Sequence, residues 1–520
     1  DVSNLTYNES KEEIANRVNN YQLEIIGKND ISFKINGKDI DLKATYEKNL
    51  EKSFSNHLDD RSLFGIFANH DYEVNLKITY NQDKLEKIIN NSHNKRQKIL
   101  AEKITKGSIY SQDGEVLAET VTDDDGNEYR SYPGKKKFCH VVGRTDNSMT
   151  GIELSQCYPM LTSHMNPFTQ LGNTLRGEKN MGDSVYTTLD AGLQRVAYDA
   201  LGDYRGAVVA LEPDTGKILA MVSKPAYDPN TVLKNWQSLV RDDEEESKLV
   251  NRASQGLYPP GSTFKIVTAM EYMMENPDSY KEYRYRCKGT KVFSGSRINC
   301  YSREWHGRLS LPTAFAKSCN GAFADIGTRL DLNSYRKFCE KLYFNQKPSV
   351  EFEANKSRFA LNAKSDAAEV TQTAIGQGKT LITPLENAMI TAMVANGGEM
   401  MKPYVVDRVE SADGRIVKQY KPKSQGKLVD EWVTEAMTGM MEKVVNEGTG
   451  TLLKTSAYQV AGKTGSAEAD SDGTTHAWFV GFAPSNHPKL VVSIVVEGAG
   501  TGGKYAVPIA KKMFREYLSK

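Results

Sequence analysis

Three things are scarce in this sequence, and each shortage excludes a class of protein. Net charge is nearly absent, because 67 basic residues balance 66 acidic ones to leave a formal charge of +1, so nothing favours nucleic-acid binding. Long apolar runs are also missing, and without a stretch of 18 apolar residues the sequence predicts no transmembrane helix. At 520 residues, the chain is long enough for two or three domains with sizeable cores.

Cysteine is the third scarce residue type. The six cysteines contain no Cys-x-x-Cys pair, a spacing that disfavours metal binding, and we expect neither a metal ion nor a cofactor. Cys287 and Cys300 flank residues 288–299, a segment rich in glycine and serine that is compatible with a hairpin. A disulfide formed outside the cytoplasm and a pair of unpaired thiols both agree with that spacing.

The most informative stretch is Tyr258–Lys265, which reads Tyr-Pro-Pro-Gly-Ser-Thr-Phe-Lys. Two prolines cannot continue a helix from upstream, so the pattern predicts a helix that begins near Ser262. A serine hydroxyl at a helix N-terminus lies where backbone N–H groups and the helix dipole favour a developing oxyanion. Lys265 shares its helix face, and a lysine whose charge is disfavoured by burial can accept the serine's proton. The pattern suits a nucleophilic serine.

The Ser-x-x-Lys pattern alone is weak evidence. It also occurs at Ser92, Ser334 and Ser424, where we expect only surface serines and solvated lysines. The setting of Ser262 is different, because the helix that follows is apolar on most faces and is therefore expected to be buried. A serine and a lysine at the start of a buried helix indicate a functional site.

The composition of the chain predicts three regions. Residues 1–93 are expected to form a small α+β module for spacing or binding, and residues 94–182 an extended stalk or pedestal with charged runs. Residues 183–520 begin and end with pairs of strands and carry helices between them, which predicts an α+β domain on an antiparallel sheet flanked by helices. The predicted elements are helices at 9–20 and 82–89, a hairpin turning at Asn36-Gly37, and strands at 74–78, 207–211, 217–223, 477–483 and 490–496.

Two further motifs follow in the third region. Ser318-Cys319-Asn320 lies between two short helical stretches, and Lys463-Thr464-Gly465-Ser466 precedes the last strands, with glycines that let a ligand approach closely. Together with Ser262-x-x-Lys265, these motifs resemble the S-x-x-K, S-x-N and K-T-G set of the penicillin-recognising serine transpeptidases, in the family's order. The resemblance covers residues 96–520 and includes Gly376-Gln377-Gly378, Thr383-Pro384-Leu385 and Leu189–Gln194.

The resemblance implies an acyl-transfer reaction. Ser262 would attack the carbonyl between the last two D-alanines of a peptidoglycan stem peptide, with Lys265 taking its proton. Backbone N–H groups of Ser262 and Ser466 would form the oxyanion hole. An amine from a neighbouring stem peptide would then release the acyl-enzyme as a cross-link, and β-lactam antibiotics would be trapped at the acyl stage.

The remaining motif residues take supporting roles by the same resemblance. Ser318 would pass the proton to the leaving D-alanine, and Asn320 would orient the lysine and the substrate amide. Lys463 would keep the local field positive, while Gly465 leaves room for the substrate backbone. The hydroxyls of Thr464 and Ser466 would hold the substrate carboxylate.

Motifs near the start of the chain indicate the subgroup. Gly107–Tyr110 with Asp113–Ala118 resembles the start of the class B (monofunctional) penicillin-binding proteins, and His140–Glu153 is similar to the elongation or spore-type subgroup. This implies a location at the extracytoplasmic face of the bacterial cell membrane and a SEDS-type glycan polymerase as partner. The chain starts at Asp1, not methionine, so we expect that a membrane anchor has been removed. Residues 1–93 resemble a peptidoglycan-binding domain found ahead of L,D-transpeptidases and vancomycin-resistance-type proteins.

Two alternatives belong to other functional classes. A serine β-lactamase would need a base for its deacylating water, and Glu351 with Asn355 has the Glu-x-x-x-Asn spacing of class A enzymes. The stalk and the long gap between Ser318 and Lys463 fit a transpeptidase better. A non-catalytic β-lactam sensor or cell-wall scaffold should carry a signalling domain, and the sequence indicates none.

Overall fold

The structure is a computed structural model, and the chain divides into two compact units, Asp1–Leu100 and Ala101–Lys520. Among the helices of the described part of the chain, none combines the length and the apolar character needed to cross a membrane. The residues that the structure describes are 7–26, 32–45, 77–81, 84, 100–241, 246–468 and 474–519.

The described part of the first unit contains a helix, a 3-10 helix and two antiparallel strand pairs. The predicted helix at 9–20 is confirmed, and the strand predicted at 74–78 is confirmed within residues 77–79. The helix predicted at 82–89 lies outside the described residues apart from residue 84. In chain order the elements are Tyr7–Asn19, the paired strands Gln22–Ile26 and Ser32–Asn36, the 3-10 helix Gly37–Ile40, and the paired strands Lys43–Thr45 and Lys77–Thr79.

The hairpin predicted at Asn36-Gly37 is wrong. The strand that ends at Asn36 pairs with Gln22–Ile26, which precedes it, and the chain then continues into the 3-10 helix. A type I′ turn needs positive φ at Asn36, whose backbone is instead extended with φ −83° and ψ 142°. The Asn36 side chain donates to Asp39 Oδ2 at 2.8 Å, a local side-chain contact that accompanies the 3-10 helix in place of the turn.

The second unit carries a six-stranded sheet, which we call the pedestal sheet. Its strands come from both sides of residue 182, so a continuous sheet crosses the border predicted there. The domain borders at 93 and 182 stay predictions. In spatial order the strands are Ile416–Gln419, Val406–Glu410, Ser184–Thr187, Ile109–Tyr110, Val116–Thr122 and Glu128–Ser131, with one parallel pair between the third and fourth.

A five-stranded antiparallel sheet, the central sheet, organises the rest of the second unit. All four strands predicted in this region are found within it, and helices cover both faces, so the predicted α+β class is confirmed. In spatial order its strands are Ile218–Lys224, Gly206–Leu211, Leu490–Val496, Thr475–Ala483 and Ala461–Glu468.

Alternate residues of the central strands face two different cores. Val208 and Ile494 pack against a core formed with the helices Ala191–Ala200 and Val507–Leu518. Val209 lies in the opposite core, which includes the helix that follows Ser262. This period of two buries both faces of the sheet. The strand Ala461–Glu468 lies at the edge of the sheet and contacts the turn Gly261–Phe264 and the helix Glu431–Glu447.

The remaining elements of the second unit surround these two sheets. Its other strand pairs are Ile104–Thr105 with Asn180–Met181, Arg284–Cys287 with Gly307–Ser310, Thr290–Phe293 with Ser296–Asn299, and Glu399–Met401 with Ser424–Lys427. Further helices are Cys139–Val142, Gly151–Ser155, Cys157–Met160, Pro167–Arg176, Val232–Val240, Arg252–Gln255, Lys265–Glu275, Leu311–Ala316, Asn320–Gly327, Leu332–Lys341, Ala367–Ala374, Pro384–Ala395, Glu431–Glu447 and Gly502–Tyr505. The 3-10 helices are Lys135–Lys137, Pro229–Thr231, Gly261–Phe264, Tyr280–Glu282, Tyr301–Arg303 and Thr451–Leu453.

Candidate active site

Ser262 lies where the Pro-Pro-Gly turn enters the buried helix. It belongs to a single 3-10 turn, Gly261–Phe264, that runs directly into the helix Lys265–Glu275, so the predicted helix start is confirmed. Gly261 has φ +54°, and a Cβ atom there would lie 2.8 Å from the Ser466 carbonyl oxygen. Only glycine fits this close approach, which holds the serine turn against the edge strand of the central sheet.

Lys265 is the centre of the hydrogen bonds around Ser262. Its Nζ lies 3.0 Å from Ser262 Oγ, and it donates to the Ser318 carbonyl oxygen and to Asn320 Oδ1, each at 2.7 Å. The side chain is fully buried, which lowers its pKa to about 8 because burial disfavours the charged form. A lysine with this pKa is able to act as a base near neutral pH.

Ser318 joins two lysines through one hydroxyl group. Its Oγ lies 3.3 Å from Lys265 Nζ and 2.8 Å from Lys463 Nζ. Its backbone has φ +54°, a conformation that non-glycine residues rarely adopt and that costs roughly 1–3 kcal/mol. The surrounding contacts therefore have to hold this turn, and Asn320 Nδ2 contributes by donating to the Asn299 carbonyl oxygen at 2.8 Å.

Lys463 is also fully buried, on the edge strand of the central sheet. Burial lowers the pKa of Lys463 well below its usual range, and the nearby charge of Lys265 lowers it further. Two ammonium groups on one hydroxyl repel each other at this depth. The pair therefore gives up a proton in a pH range where solvated lysines keep theirs.

The rest of the Lys-Thr-Gly-Ser motif lies along the same edge strand. Thr464 Oγ1 shares a hydrogen bond with the Thr449 hydroxyl. A Cβ atom on Gly465 would lie 3.0 Å from Trp478 Cβ and 3.2 Å from Thr263 Cγ2, so the strand packs tightly against the serine turn. Ser466 is half-buried at the point where the strand passes that turn.

All eight predicted site residues therefore lie on three adjoining segments: the serine turn, the Ser318–Asn320 turn and the edge strand. Sequence reasoning missed Asn299 and Thr449, whose contacts come from a hairpin and from a helix-to-strand connection. The Gly448-Thr449-Gly450 sequence, at the end of the helix Glu431–Glu447, was a signal that could have indicated Thr449.

Two of the other three Ser-x-x-Lys matches have the exposed serines that were expected. Ser334 and Ser424 are exposed, in a helix and in a peripheral strand, and Ser92 lies outside the described residues. The pair with the β-lactamase-like spacing is Glu351 and Asn355. Asn355 Nδ2 donates to the Gln255 carbonyl oxygen at 2.6 Å, and the charge of Glu351 acts on Tyr404, whose pKa is raised mainly by burial.

The cysteine spacing was a poor guide to geometry. Cys287, Cys300, His306 and Cys319 come together with all their donor atoms within 4.8 Å of one another, a group that could hold a metal ion. The linear spacing therefore did not reveal that these residues come together, and the expectation that the chain binds no metal stays a prediction. The predicted hairpin between Cys287 and Cys300 is confirmed, and both cysteines have free thiols.

This arrangement can perform acyl transfer through a serine. A hydroxyl hydrogen-bonded to a buried lysine is the paired nucleophile and base that covalent catalysis requires. The Ser318 hydroxyl, shared by two amines, offers a path for a proton between the base and a leaving group. The proton that the lysine pair keeps also places a positive charge beside the serine, which favours a negatively charged transition state.

The families and relatives that this chain resembles support this chemistry. Residues 206–515 match the family described as the penicillin binding protein transpeptidase domain. The chain is 32% identical over 429 residues to the peptidoglycan D,D-transpeptidase PbpA of Mycolicibacterium smegmatis, an alignment that covers 76% of this chain and 86% of the relative. It is 30% identical over 393 residues to the peptidoglycan D,D-transpeptidase MrdA of Acinetobacter baumannii, covering 68% and 56% of the two chains.

Solved structures give the same result. The acyl-enzyme complex of penicillin-binding protein A from M. tuberculosis with ceftriaxone superimposes with a TM-score of 0.74 at 31% identity, covering 81% of this chain and 100% of that chain. The acyl-enzyme of the same protein with penicillin G gives a TM-score of 0.73 at 31% identity, covering 80% and 99%. The matched fold is thus one in which β-lactams form covalent complexes.

Proposed function

The chain belongs to the penicillin-binding protein transpeptidase family, and from that premise we propose that it is a class B peptidoglycan D,D-transpeptidase that uses Ser262 as its nucleophile. The observation that carries the proposal is the position of Lys265 Nζ, within hydrogen-bonding distance of Ser262, Ser318 and Asn320 at once. One buried amine thus contacts the nucleophile, the proton path and the group that orients the amine.

Acylation follows from these contacts. Neutral Lys265 accepts the Ser262 hydroxyl proton as Oγ attacks the carbonyl carbon of the penultimate D-alanine. Backbone N–H groups of Ser262 and Ser466 stabilise the oxyanion that forms. When the C–N bond breaks, the proton passes through the Ser318 hydroxyl to the leaving D-alanine, so the acyl-enzyme forms without a free charge on the leaving amine.

The remaining residues bind and orient the donor peptide. Thr464 and Ser466 hydroxyls donate to its terminal carboxylate, and Gly465 leaves room for its backbone beside the edge strand. Lys463 supplies positive potential when it carries the proton of the lysine pair. An acceptor amine then attacks the acyl-enzyme carbonyl, restores the Ser262 hydroxyl and leaves a new amide cross-link.

The proposed substrate implies a cellular setting. The donor substrate is a stem peptide ending in D-Ala-D-Ala, so the active site works on the extracytoplasmic side of the bacterial membrane. A membrane-embedded SEDS-type glycan polymerase is the partner that supplies the strands to be joined, and the module predicted at residues 1–93 binds peptidoglycan or acts as a spacer.

The lifetime of a penicillin label tests the proposal. We expect a fluorescent penicillin to label the protein in a 1:1 complex that persists for hours on a denaturing gel, because the β-lactam acyl-enzymes of a related penicillin-binding protein last long enough to be seen in solved structures. Glu351→Gln, which removes the alternative base, should leave the lifetime of the label unchanged. A donor stem pentapeptide with an amine acceptor should give free D-alanine and a cross-linked product by mass spectrometry.

Other outcomes separate the alternatives. Label lost within minutes with penicilloate accumulating, and prolonged in Glu351→Gln, would make the protein a serine β-lactamase. A stable label without any D-alanine release from the stem peptide would support a β-lactam sensor or scaffold.

The acylation rate should increase with pH up to a plateau above pH 8. Burial lowers the pKa of Lys265 to about 8, and only its neutral amine can accept the Ser262 proton, so the active fraction grows as pH rises through that value. Stopped-flow acylation by a chromogenic cephalosporin between pH 6 and 9.5 measures this. A rate that falls over this range would contradict the role of Lys265 as base.

A further inference from the structure

A strongly basic surface lies beside the Ser318–Asn320 turn. It is formed by residues 284–308, which we call the basic segment. This segment contains seven basic residues and a single acidic one, in a chain whose overall formal charge is only +1. All seven basic residues are exposed. A local excess of this size attracts anions even though the whole chain is nearly neutral.

Two arginines of the basic segment lie directly opposite each other. In the strand pair Arg284–Cys287 with Gly307–Ser310, the residue across from Arg286 is Arg308. Their neighbours Tyr285 and Leu309 are buried, so the two arginines share the outer face of the pair. Like charges at opposite positions of an antiparallel pair repel and destabilise it. An anion bound between the two arginines would remove that repulsion.

Two acidic side chains in this region are engaged with other groups. Asp325, which lies 3.3 Å from Lys291 Nζ, also pairs with Arg329 at 2.9 Å. The Glu304 carboxylate lies 3.6 Å from His306 Nε2. Among the residues that the structure describes, no acidic side chain forms an ion pair with either of the two opposed arginines. Both are therefore available to an anion from outside the chain.

Two large aromatic rings are exposed in the same segment. Tyr301 is 71% exposed and Trp305 is 66% exposed. The loop that carries them packs against the chain just after Cys287, since a Cβ atom on Gly289 would lie 2.1 Å from the Arg303 carbonyl oxygen. Large aromatic side chains left in water are typical of surfaces that a partner covers. A sugar ring has an apolar face that can pack on such a side chain while its hydroxyls stay solvated.

The basic segment also adjoins the active site. Asn299 lies within it and accepts the Asn320 amide at its carbonyl oxygen, at 2.8 Å. Cys287, next to Arg286, has its Sγ within 4.8 Å of the Sγ of Cys319, in the middle of the turn. The arginines are thus about one packed layer from the turn, on the order of 10 Å. An extended tetrapeptide spans about 13 Å, which is enough to connect the two.

We propose that the basic segment binds the acceptor strand of peptidoglycan. Arg286 and Arg308 hold a carboxylate of its stem peptide, and Tyr301 and Trp305 pack on its sugar rings. This inference rests on the proposed function and names the surface that brings the second substrate to the acyl-enzyme. Guanidinium groups suit the task because each can form two parallel hydrogen bonds with a carboxylate. The position beside the catalytic turn favours the substrate of that site over an anionic membrane.

The acceptor dependence of cross-linking tests the proposal. The full chain is given a stem-pentapeptide donor and increasing amounts of a disaccharide–tetrapeptide acceptor, and the cross-linked product is measured by mass spectrometry. Arg286→Gln combined with Arg308→Gln should raise the acceptor concentration for half-maximal rate about 10-fold, because each exposed ion pair contributes a few-fold. The shift should shrink as salt is added, since salt screens exposed charges. Penicillin acylation needs no acceptor and should keep the wild-type rate.

Matched variants separate the surface from the net charge. Lys511→Gln combined with Lys512→Gln removes the same charge from the exposed side of the last helix and should leave the acceptor dependence unchanged. Arg286→Lys combined with Arg308→Lys keeps the charge but loses the paired hydrogen bonds, so its shift should be intermediate. With an acceptor whose carboxylates are amidated, the wild type and the double glutamine variant should have the same half-maximal concentration.

Tyr301→Ala combined with Trp305→Ala tests the sugar contact. This variant should raise the half-maximal concentration of the disaccharide–tetrapeptide about 5-fold, because the sugar rings lose their aromatic partners. The half-maximal concentration of the free tetrapeptide, which has no sugar, should not change. An equal shift with both acceptors would overturn the sugar contact.

A photoreactive acceptor distinguishes failure of this surface from failure of the proposed function. Irradiation of the full chain with a diazirine-bearing disaccharide–tetrapeptide should label peptides within residues 284–308, with or without turnover. Labels only elsewhere, or an unchanged acceptor dependence in the double glutamine variant, would overturn the proposal. If that variant instead loses binding to phosphatidylglycerol vesicles and keeps its acceptor dependence, the surface belongs to the membrane. Wild-type protein that is photolabelled here but takes no penicillin label would contradict the transpeptidase proposal and leave the surface intact.

Discussion

Replacing Ser262 by alanine should abolish covalent labelling by penicillin and lower the acylation rate by at least about 10⁴-fold. The variant removes the only atom that forms the covalent bond, while Lys265 keeps its contacts with Ser318 and Asn320. Intact-protein mass spectrometry after incubation with penicillin G measures the effect, since the wild-type mass should increase by one penicillin and the variant mass should not change.

Ser334→Ala is the matched control for this experiment. Ser334 also begins a Ser-x-x-Lys pattern near a helix N-terminus, but it is exposed on the helix Leu332–Lys341. Its loss should leave the label and the acylation rate unchanged. A labelled Ser262→Ala protein, or an unlabelled Ser334→Ala protein, would show that the nucleophile has been assigned to the wrong serine.

The site could be predicted from the sequence because each of its three segments is defined by local signals. Prolines before Ser262 require a helix to start there, and the apolar residues that follow require that helix to be buried. Glycines beside Lys463 and a pair of strongly β-forming strands behind it locate an edge strand. Local patterns could not show that these three segments lie together in space. The order of the three motifs, which is that of the family, indicated that they do.

The parts that sequence reasoning missed depend on contacts between distant segments. Linear spacing suggested that the cysteines do not bind metal, since ligands of a zinc site commonly come in close pairs along the chain. Here the strand pairing of Arg284–Cys287 with Gly307–Ser310 brings Cys287 beside His306, and the packing of the next helix adds Cys319. The hairpin predicted at Asn36-Gly37 is wrong for the opposite reason. The local turn signal is strong, but the strand that ends at Asn36 pairs with an earlier strand.

Replacing Gly376 by alanine should reduce penicillin acylation at least about 100-fold by displacing the serine turn. The Gly261 backbone N–H donates to the Gly376 carbonyl oxygen at 2.8 Å, so these two glycines join the Gly376 turn to the serine turn. A Cβ atom on Gly376 would lie 1.8 Å from the Gly261 carbonyl oxygen, a distance that requires backbone movement next to Ser262. A shift of about 1 Å in a reacting group is enough for a 100-fold loss of rate.

Gly378→Ala separates this contact from the general cost of alanine at positive φ. Gly376 has φ +81° and Gly378 has φ +77°, so each substitution carries the same backbone cost of about 1–2 kcal/mol. The nearest atom to a Cβ on Gly378 is 3.5 Å away, which is ordinary contact. The strain at positive φ should therefore lower the thermal stability of both variants, which thermal unfolding measures. Gly378→Ala should nevertheless keep the wild-type acylation rate. Equal rates in the two variants would mean that the Gly376–Gly261 contact does not position Ser262.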